Sequence, residues 1–238
     1  VTGAANGLGR RYAEALAAEG AQLMLCDIAD AQPLADDLAR SGTRAAAAIC
    51  DVADPAAIAA CVAETERHFG EIHILVNNAA IMGAASRPFE QITTAEWDRL
   101  MAVNARGPFE FAKAVLPAMR RRQYGKIINI SSGMVFKGSP YLLDYVASKG
   151  AIIAMTRVMA RELGADNIGV NCIAPGLVLT EGAKAVAQHA TQIAIDTRSF
   201  KREQTPDDLV GALIFFASPE SDFITGQTVV VDGGSAMH

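Results

Sequence analysis

Short apolar runs alternate with helical patterns along the whole 238-residue chain, and this alternation restricts the fold more than any other feature. Strand-like runs fall at 21–26, 44–50, 72–77, 125–131, 168–173 and 227–231. Helical patterns fall at 8–19, 31–41, 55–69, 94–105 continuing to about 122, 144–164 and 206–217. Strands buried on both faces read as unbroken apolar runs, and parallel neighbours need a helical crossover between them. The reading is an α/β fold: one Rossmann-like, doubly wound parallel sheet with helices on both faces, a single domain over 1–238 with right-handed crossovers. An apolar content of 51% is enough for a large core. The stretch 178–204 breaks the alternation. At the C-terminal edge of such a sheet it is either a lid over a ligand or a plain surface helix and loop. The chain starts at Val1, inside what should be the end of a central strand, so the natural protein is expected to be longer at its N-terminus.

The run Thr2-Gly3-Ala4-Ala5-Asn6-Gly7-Leu8-Gly9 precedes the first helical pattern. Glycines there let backbone approach a pyrophosphate, and the helix start offers free N–H groups and a positive dipole end. The next apolar run closes on Asp27, eighteen residues after Gly9. A carboxylate at that spacing accepts hydrogen bonds from adenosine ribose hydroxyls and repels a 2′-phosphate. No Lys or Arg stands at positions 6, 27 or 28 to receive such a phosphate, which favours NAD over NADP.

Further candidates sit where strands end. Asp51-Val52 either meets an adenine edge or caps the helix from Pro55. Asn77-Asn78-Ala79-Ala80 supplies small residues that let a flat ligand or another backbone come close. Ser131 and Ser132 end the run Lys126–Ile130, where a hydroxyl points into the ligand crevice. Asn104 lies inside a helical pattern four residues before Pro108, which lacks the N–H for its carbonyl. A kinked helix with the Asn104 carbonyl free to hold water is expected.

Tyr145 and Lys149 are four residues apart on one helical face. A cation near the phenol is expected to lower its pKa toward the range useful for proton transfer. No His–Asp pair at useful spacing accompanies the serines, and no G-x-S-x-G elbow occurs, which argues against a serine hydrolase.

A net charge of −5 without a long basic block argues against nucleic acid. Cys26, Cys50, Cys61 and Cys172 are scattered without a CxxC pair, and the four histidines are dispersed. A reduced cytoplasmic compartment without a metal site is expected. No run reaches membrane-spanning length and no signal peptide is visible.

Together, TGAANGLG at 2–9, NNAA at 77–80, Asn104, Ser132, YVASK at 145–149, PGLVLT at 175–180 and ITGQTVVVDGG at 224–234 resemble the short-chain dehydrogenase/reductase family over essentially the whole chain. Ala80 departs from the glycine more usual there. The resemblance implies Tyr145 as general acid/base, with Lys149 lowering its pKa and holding the nicotinamide ribose. It implies Ser132 orienting the substrate oxygen and Asn104 holding a water that links Lys149 to solvent. It implies NAD held by Gly3, Asn6, Gly7, Leu8, Gly9, Asp27, Asp51, Val52, Asn78, Ala79, Ala80, Val178 and Thr180, with Pro175 and Gly176 shaping the turn against the nicotinamide. It also implies a homotetramer.

The expected substrate is a small, largely apolar secondary alcohol or ketone, bordered by Met82, Met134, Phe136, Tyr141, Leu142 and Leu177. The C-terminal region is weakly similar to dehydrogenases of aryl or cyclic alcohols. The alternatives are a 3-oxoacyl-carrier-protein reductase, for which Arg120, Arg121 and Arg122 would form the basic surface, and a dinucleotide-binding sensor or scaffold without turnover.

Overall fold

The computed structural model describes residues 1–83, 86–178 and 188–237. Six parallel strands are β1 (Leu23–Asp27), β2 (Ala45–Ile49), β3 (Ile74–Asn77), β4 (Gly125–Ile130), β5 (Ile168–Pro175) and β6 (Thr228–Val231). β1 pairs with β2, and β3-β4-β5-β6 form the other run. Val1 and Thr2 join the two. The Cys26 N–H donates to the Val1 carbonyl at 2.9 Å, and the Thr2 N–H donates to the Val76 carbonyl at 3.0 Å. The sheet therefore reverses its order at the two residues that lead into the glycine turn, which is where doubly wound sheets bind ligands.

The helices are α1 (Gly7–Ala18), α2 (Gln32–Arg40), α3 (Pro55–Phe69), α4 (Thr94–Met101), α5 (Gly107–Arg122), α6 (Met134–Lys137), α7 (Leu143–Leu163), α8 (Gln188–Thr197) and α9 (Asp207–Ala217). Their starts follow from side-chain chemistry. Asp54 accepts from the Ala56 N–H at the head of α3, with Pro55 in the first turn. Thr93 and Glu96 form a reciprocal cap on α4. The cap of α3 is thus Asp54 and not Asp51, whose Oδ1 instead accepts from the Ala53 N–H at 2.8 Å.

Alternate residues of each strand enter opposite cores. Leu25, Ile128 and Ile173 pack with Tyr12, Leu16, Leu209, Leu213 and Phe216 on the face covered by α1, α2 and α9. Met24, Cys26, Ile127 and Val170 pack with Ile58, Phe111, Val115 and Met119 on the face covered by α3 and α5. This alternation of faces is why the strands read as continuous apolar runs.

The long pattern from 94 to 122 resolves into α4, a widened turn over Ala102–Arg106, and α5. The Gly107 N–H donates to the Ala102 carbonyl five residues back. Pro108 cannot continue the regular ladder, and the backbone accommodates it by widening a turn. Of the segment expected as a lid, α8 is described, and 179–187 lie outside the described residues. No helix among the described residues is long and apolar enough to cross a membrane.

Candidate active site

The glycine turn is built for close approach. Gly3 has φ +65°, and a Cβ there would lie 2.8 Å from the Ala79 Cα. A Cβ on Gly9 would lie 1.9 Å from the Gly3 carbonyl oxygen. The small residues after β3 therefore admit another backbone, that of the turn itself. Thr2 Oγ1 accepts from the Asn78 and Ala79 N–H groups, both at 3.0 Å. Asn78 Nδ2 returns bonds to the carbonyls of Thr2 and Gly3. Asn78 thus ties the turn to β3 through its side chain.

At the head of α1, Asn6 makes no side-chain cap, and the first turn carries no acid. Those N–H groups are left for an anion, and the turn fits the pyrophosphate of a dinucleotide. Asp27 closes the other side. Its Oδ2 accepts from Ala5 N–H at 2.9 Å and its Oδ1 from Ala29 N–H at 3.0 Å, which fixes the carboxylate at the lip of the turn. Val52 is buried and packs where a Cβ on Gly107 would meet it, beside the exposed Asp51.

Ser132, Tyr145 and Lys149 converge at the C-terminal end of β4. The Tyr145 phenol is within hydrogen-bonding reach of Ser132. Lys149 Nζ lies 5.9 Å from the Tyr145 ring centre and donates to the Ile130 carbonyl at 2.9 Å. Ser131 Oγ donates to the Lys149 carbonyl at 2.7 Å, fastening α7 to the strand end. Burial lowers the Lys149 pKa to about 8.

One expectation is corrected here. Burial pushes the Tyr145 phenol above its usual value, with only the Ser132 contact opposing. Burial is the larger influence on the phenol here, and the Lys149 ammonium is held at the Ile130 carbonyl.

Asn104 sits in the widened turn with no exposure to solvent. Its Oδ1 accepts from the Ile81 N–H and its Nδ2 donates to the Ile81 carbonyl, both at 2.8 Å. The same Nδ2 donates to Ser148 Oγ at 3.1 Å, one residue before Lys149. Its side chain is thus a clamp between the loop after β3 and the helix of Tyr145. Beneath it, Asn77 donates to Asn129, and Asn129 donates to Thr156 on α7, both at 2.9 Å.

The Pro175-Gly176 turn is pinned on both sides. The Gly133 N–H donates to the Pro175 carbonyl at 2.7 Å, and the Gly176 N–H donates to the Val231 carbonyl at 3.0 Å. A Cβ on Gly176 would lie 2.6 Å from Gln204 Oε1. Val178 packs its side chain into the core, and its backbone forms an isolated parallel bridge with Gln204. Thr180 lies outside the described residues. Leu8 packs against the core beneath the turn, Asn6 is exposed at the helix start, and Ala80 is exposed after β3.

Sequence reading did not find Thr2, Ser148 or Asp144 as part of the site. Asp144 is 5% exposed, accepts from the Tyr145 N–H at 2.8 Å, and stands against Gly83. The only signal for it was its place immediately before Tyr145. The arginine cluster is also not a free basic surface. Arg120 pairs with Asp166 at 2.8 Å, Arg121 with Glu66, and Arg122 with Glu71.

Comparison with known proteins agrees with this geometry. The sequence profile described as Enoyl-(Acyl carrier protein) reductase matches residues 3–236. A galactitol 2-dehydrogenase from Agrobacterium fabrum is 39% identical, with 100% of this chain and 96% of the relative covered. A sorbitol dehydrogenase from Cereibacter sphaeroides is 38% identical over the same shares. The crystal structure of a gluconate 5-dehydrogenase from Burkholderia cenocepacia in complex with NADP and tartrate superposes with a TM-score of 0.93 at 37% identity, covering 98% of this chain and 92% of that one. By its fold, its profile match and these relatives, the chain belongs to the short-chain dehydrogenase/reductase family.

Proposed function

We propose that this oxidoreductase of CH–OH groups uses NAD to interconvert a small secondary alcohol and its ketone, with Tyr145 as the proton carrier. The observation that carries the reading is the convergence of Ser132, Tyr145 and Lys149 at one strand end beside an anion-ready glycine turn. Bound, the nicotinamide ring supplies the two-electron acceptor for the substrate C–H. Ser132 Oγ holds the substrate oxygen against the Tyr145 phenol. Tyr145 takes the hydroxyl proton in oxidation and returns it in reduction. Lys149 brings a cation near the phenol ring, which favours the phenolate. Asn104 fixes the distance between Ile81 and α7 and carries the water that relays the proton onward.

Asp27 supports NAD, since a carboxylate at the end of β1 beside the glycine turn suits ribose hydroxyls and repels a 2′-phosphate. Apolar surface from Met82, Met134, Phe136, Tyr141, Leu142 and Leu177 supports a substrate with an apolar flank. A polyol is a second reading, favoured by the relatives named for galactitol and sorbitol and by the buried Asp144 carboxylate next to Tyr145. The paired arginines disfavour an acidic carrier protein as partner. The protein is proposed to be a cytoplasmic homotetramer. Exposed Phe109 and Val158 on α5 and α7, and Phe215, Phe223 and Val229 toward the C-terminus, support such contacts.

The test is a panel of apolar secondary alcohols and polyols with NAD and NADP, on wild type and Tyr145→Phe. Turnover with NAD that falls by about 10²–10⁴ in the variant is expected. NADH binding without turnover on any panel member would favour a sensor. Light scattering on the eluting protein reads the tetramer.

A further inference from the structure

Cysteines that look scattered along the chain are gathered in space. Cys26 lies near the end of β1, Cys50 follows β2, and Cys61 lies on α3. Their sulfurs all lie within 4.8 Å of one another. All three are free thiols, 4% exposed or less, in an apolar shell that includes Met24, Val52, Ile58 and Val62. No histidine, carboxylate or fourth cysteine joins the group among the described residues. The alcohol chemistry makes no use of them.

The donor set selects its ligand by number and by charge. Structural zinc asks for four ligands, and three thiolates around it leave a net negative charge. Monovalent copper with three thiolates leaves two. An unpaired charge in an apolar core is costly. Trivalent arsenic with three thiolates is neutral and three-coordinate. Bonds of the length zinc makes to sulfur, about 2.3 Å, need sulfurs no more than roughly 4 Å apart, close to the spacing already present.

We propose that Cys26, Cys50 and Cys61 form a capture site for trivalent arsenic delivered as arsenous acid. Three As–S bonds form and three As–O bonds break. Each thiol proton leaves with a hydroxyl as water, and arsenic stays trivalent, so no oxidant or reductant is needed. Hydrogen bonds among Cys26, Cys50 and Cys61 already tie the three thiols to one another.

Intact-mass measurement of the reduced full chain treated with sodium arsenite tests this without any need for turnover, so its outcome is independent of the proposed alcohol chemistry. One arsenic replacing three hydrogens is expected in wild type and in Cys172→Ala, and its loss in Cys61→Ala and in Cys50→Ala. An adduct that keeps a hydroxyl on arsenic, one that survives Cys61→Ala, or no adduct at all overturns the proposal. Arsenic X-ray absorption on wild type reads the coordination without relying on any variant: three sulfur neighbours are expected, and an oxygen neighbour refutes the site.

Discussion

Lys149 and Tyr145 share one face of α7, yet the lysine spends its hydrogen bond on the Ile130 carbonyl, 2.9 Å away, with its Nζ 5.9 Å from the phenol ring centre. Burial moves the lysine to about 8 from the usual 10.5. Between those values the unfolded chain binds a proton that the folded chain does not. Stability therefore rises with pH from about 8 to 10.5, and below 8 the folded state carries the full cost of a buried ammonium.

Lys149→Met removes that cost. The interval corresponds to roughly 3 kcal/mol, from which the lost bond to Ile130 subtracts about 1 kcal/mol. A net gain of about 2 kcal/mol should raise the melting temperature by roughly 4–8 °C at pH 7 while turnover is lost. The gain should shrink as pH approaches 10.5. A variant that melts below wild type at pH 7 would show that the ammonium is well accommodated.

Asn104→Ala removes three hydrogen bonds at a position with no solvent access. The Ile81 N–H and carbonyl lose their side-chain partner, and a loss of about 3 kcal/mol is expected in denaturant unfolding. Freed from Asn104, the loop after β3 should also raise KM for the alcohol. A fall in kcat with stability unchanged would place the role of Asn104 in the proton relay and not in the clamp.

These two sites show what the sequence made legible and what it did not. The strands were readable because each is buried on both faces, so Leu25 and Cys26 are both apolar although they enter opposite cores. Thr2–Gly9 and Tyr145–Lys149 were readable because the backbone and the i,i+4 spacing carry the geometry locally. What Pro108 does was half readable. A missing N–H announces a disturbance, but whether the helix kinks or widens depends on α7 and the Ile81 loop pressing against Asn104. The pKa of Tyr145 was not readable, since the balance of burial against a cation is set by distant neighbours. The cysteine cluster was invisible for the same reason: positions 26, 50 and 61 meet only because β1 pairs with β2 and α3 covers them.

Asp27→Ala tests the cofactor reading. Removing a carboxylate held by Ala5 and Ala29 N–H groups takes away both the ribose acceptor and the repulsion of a 2′-phosphate. The ratio of NADPH to NADH affinity, measured by fluorescence titration, should shift toward NADPH by about tenfold or more, a change of about 1.4 kcal/mol. An unchanged ratio would remove Asp27 from cofactor choice.

Two glycines separate close approach from mere flexibility. A Cβ on Gly9 would lie 1.9 Å from the Gly3 carbonyl oxygen, and Gly3 has little room to shift, since even a Cβ on it would lie 2.8 Å from the Ala79 Cα. Gly9→Ala should therefore displace the turn at a cost of about 1–3 kcal/mol and weaken NADH binding well beyond tenfold. Gly211, exposed on α9 with nothing within 4 Å of a built Cβ, has no such constraint. Gly211→Ala should stabilise the helix by about 0.5–1 kcal/mol and leave NADH affinity as it was. If Gly9→Ala bound NADH as tightly as Gly211→Ala, the turn would not be the cradle of the pyrophosphate.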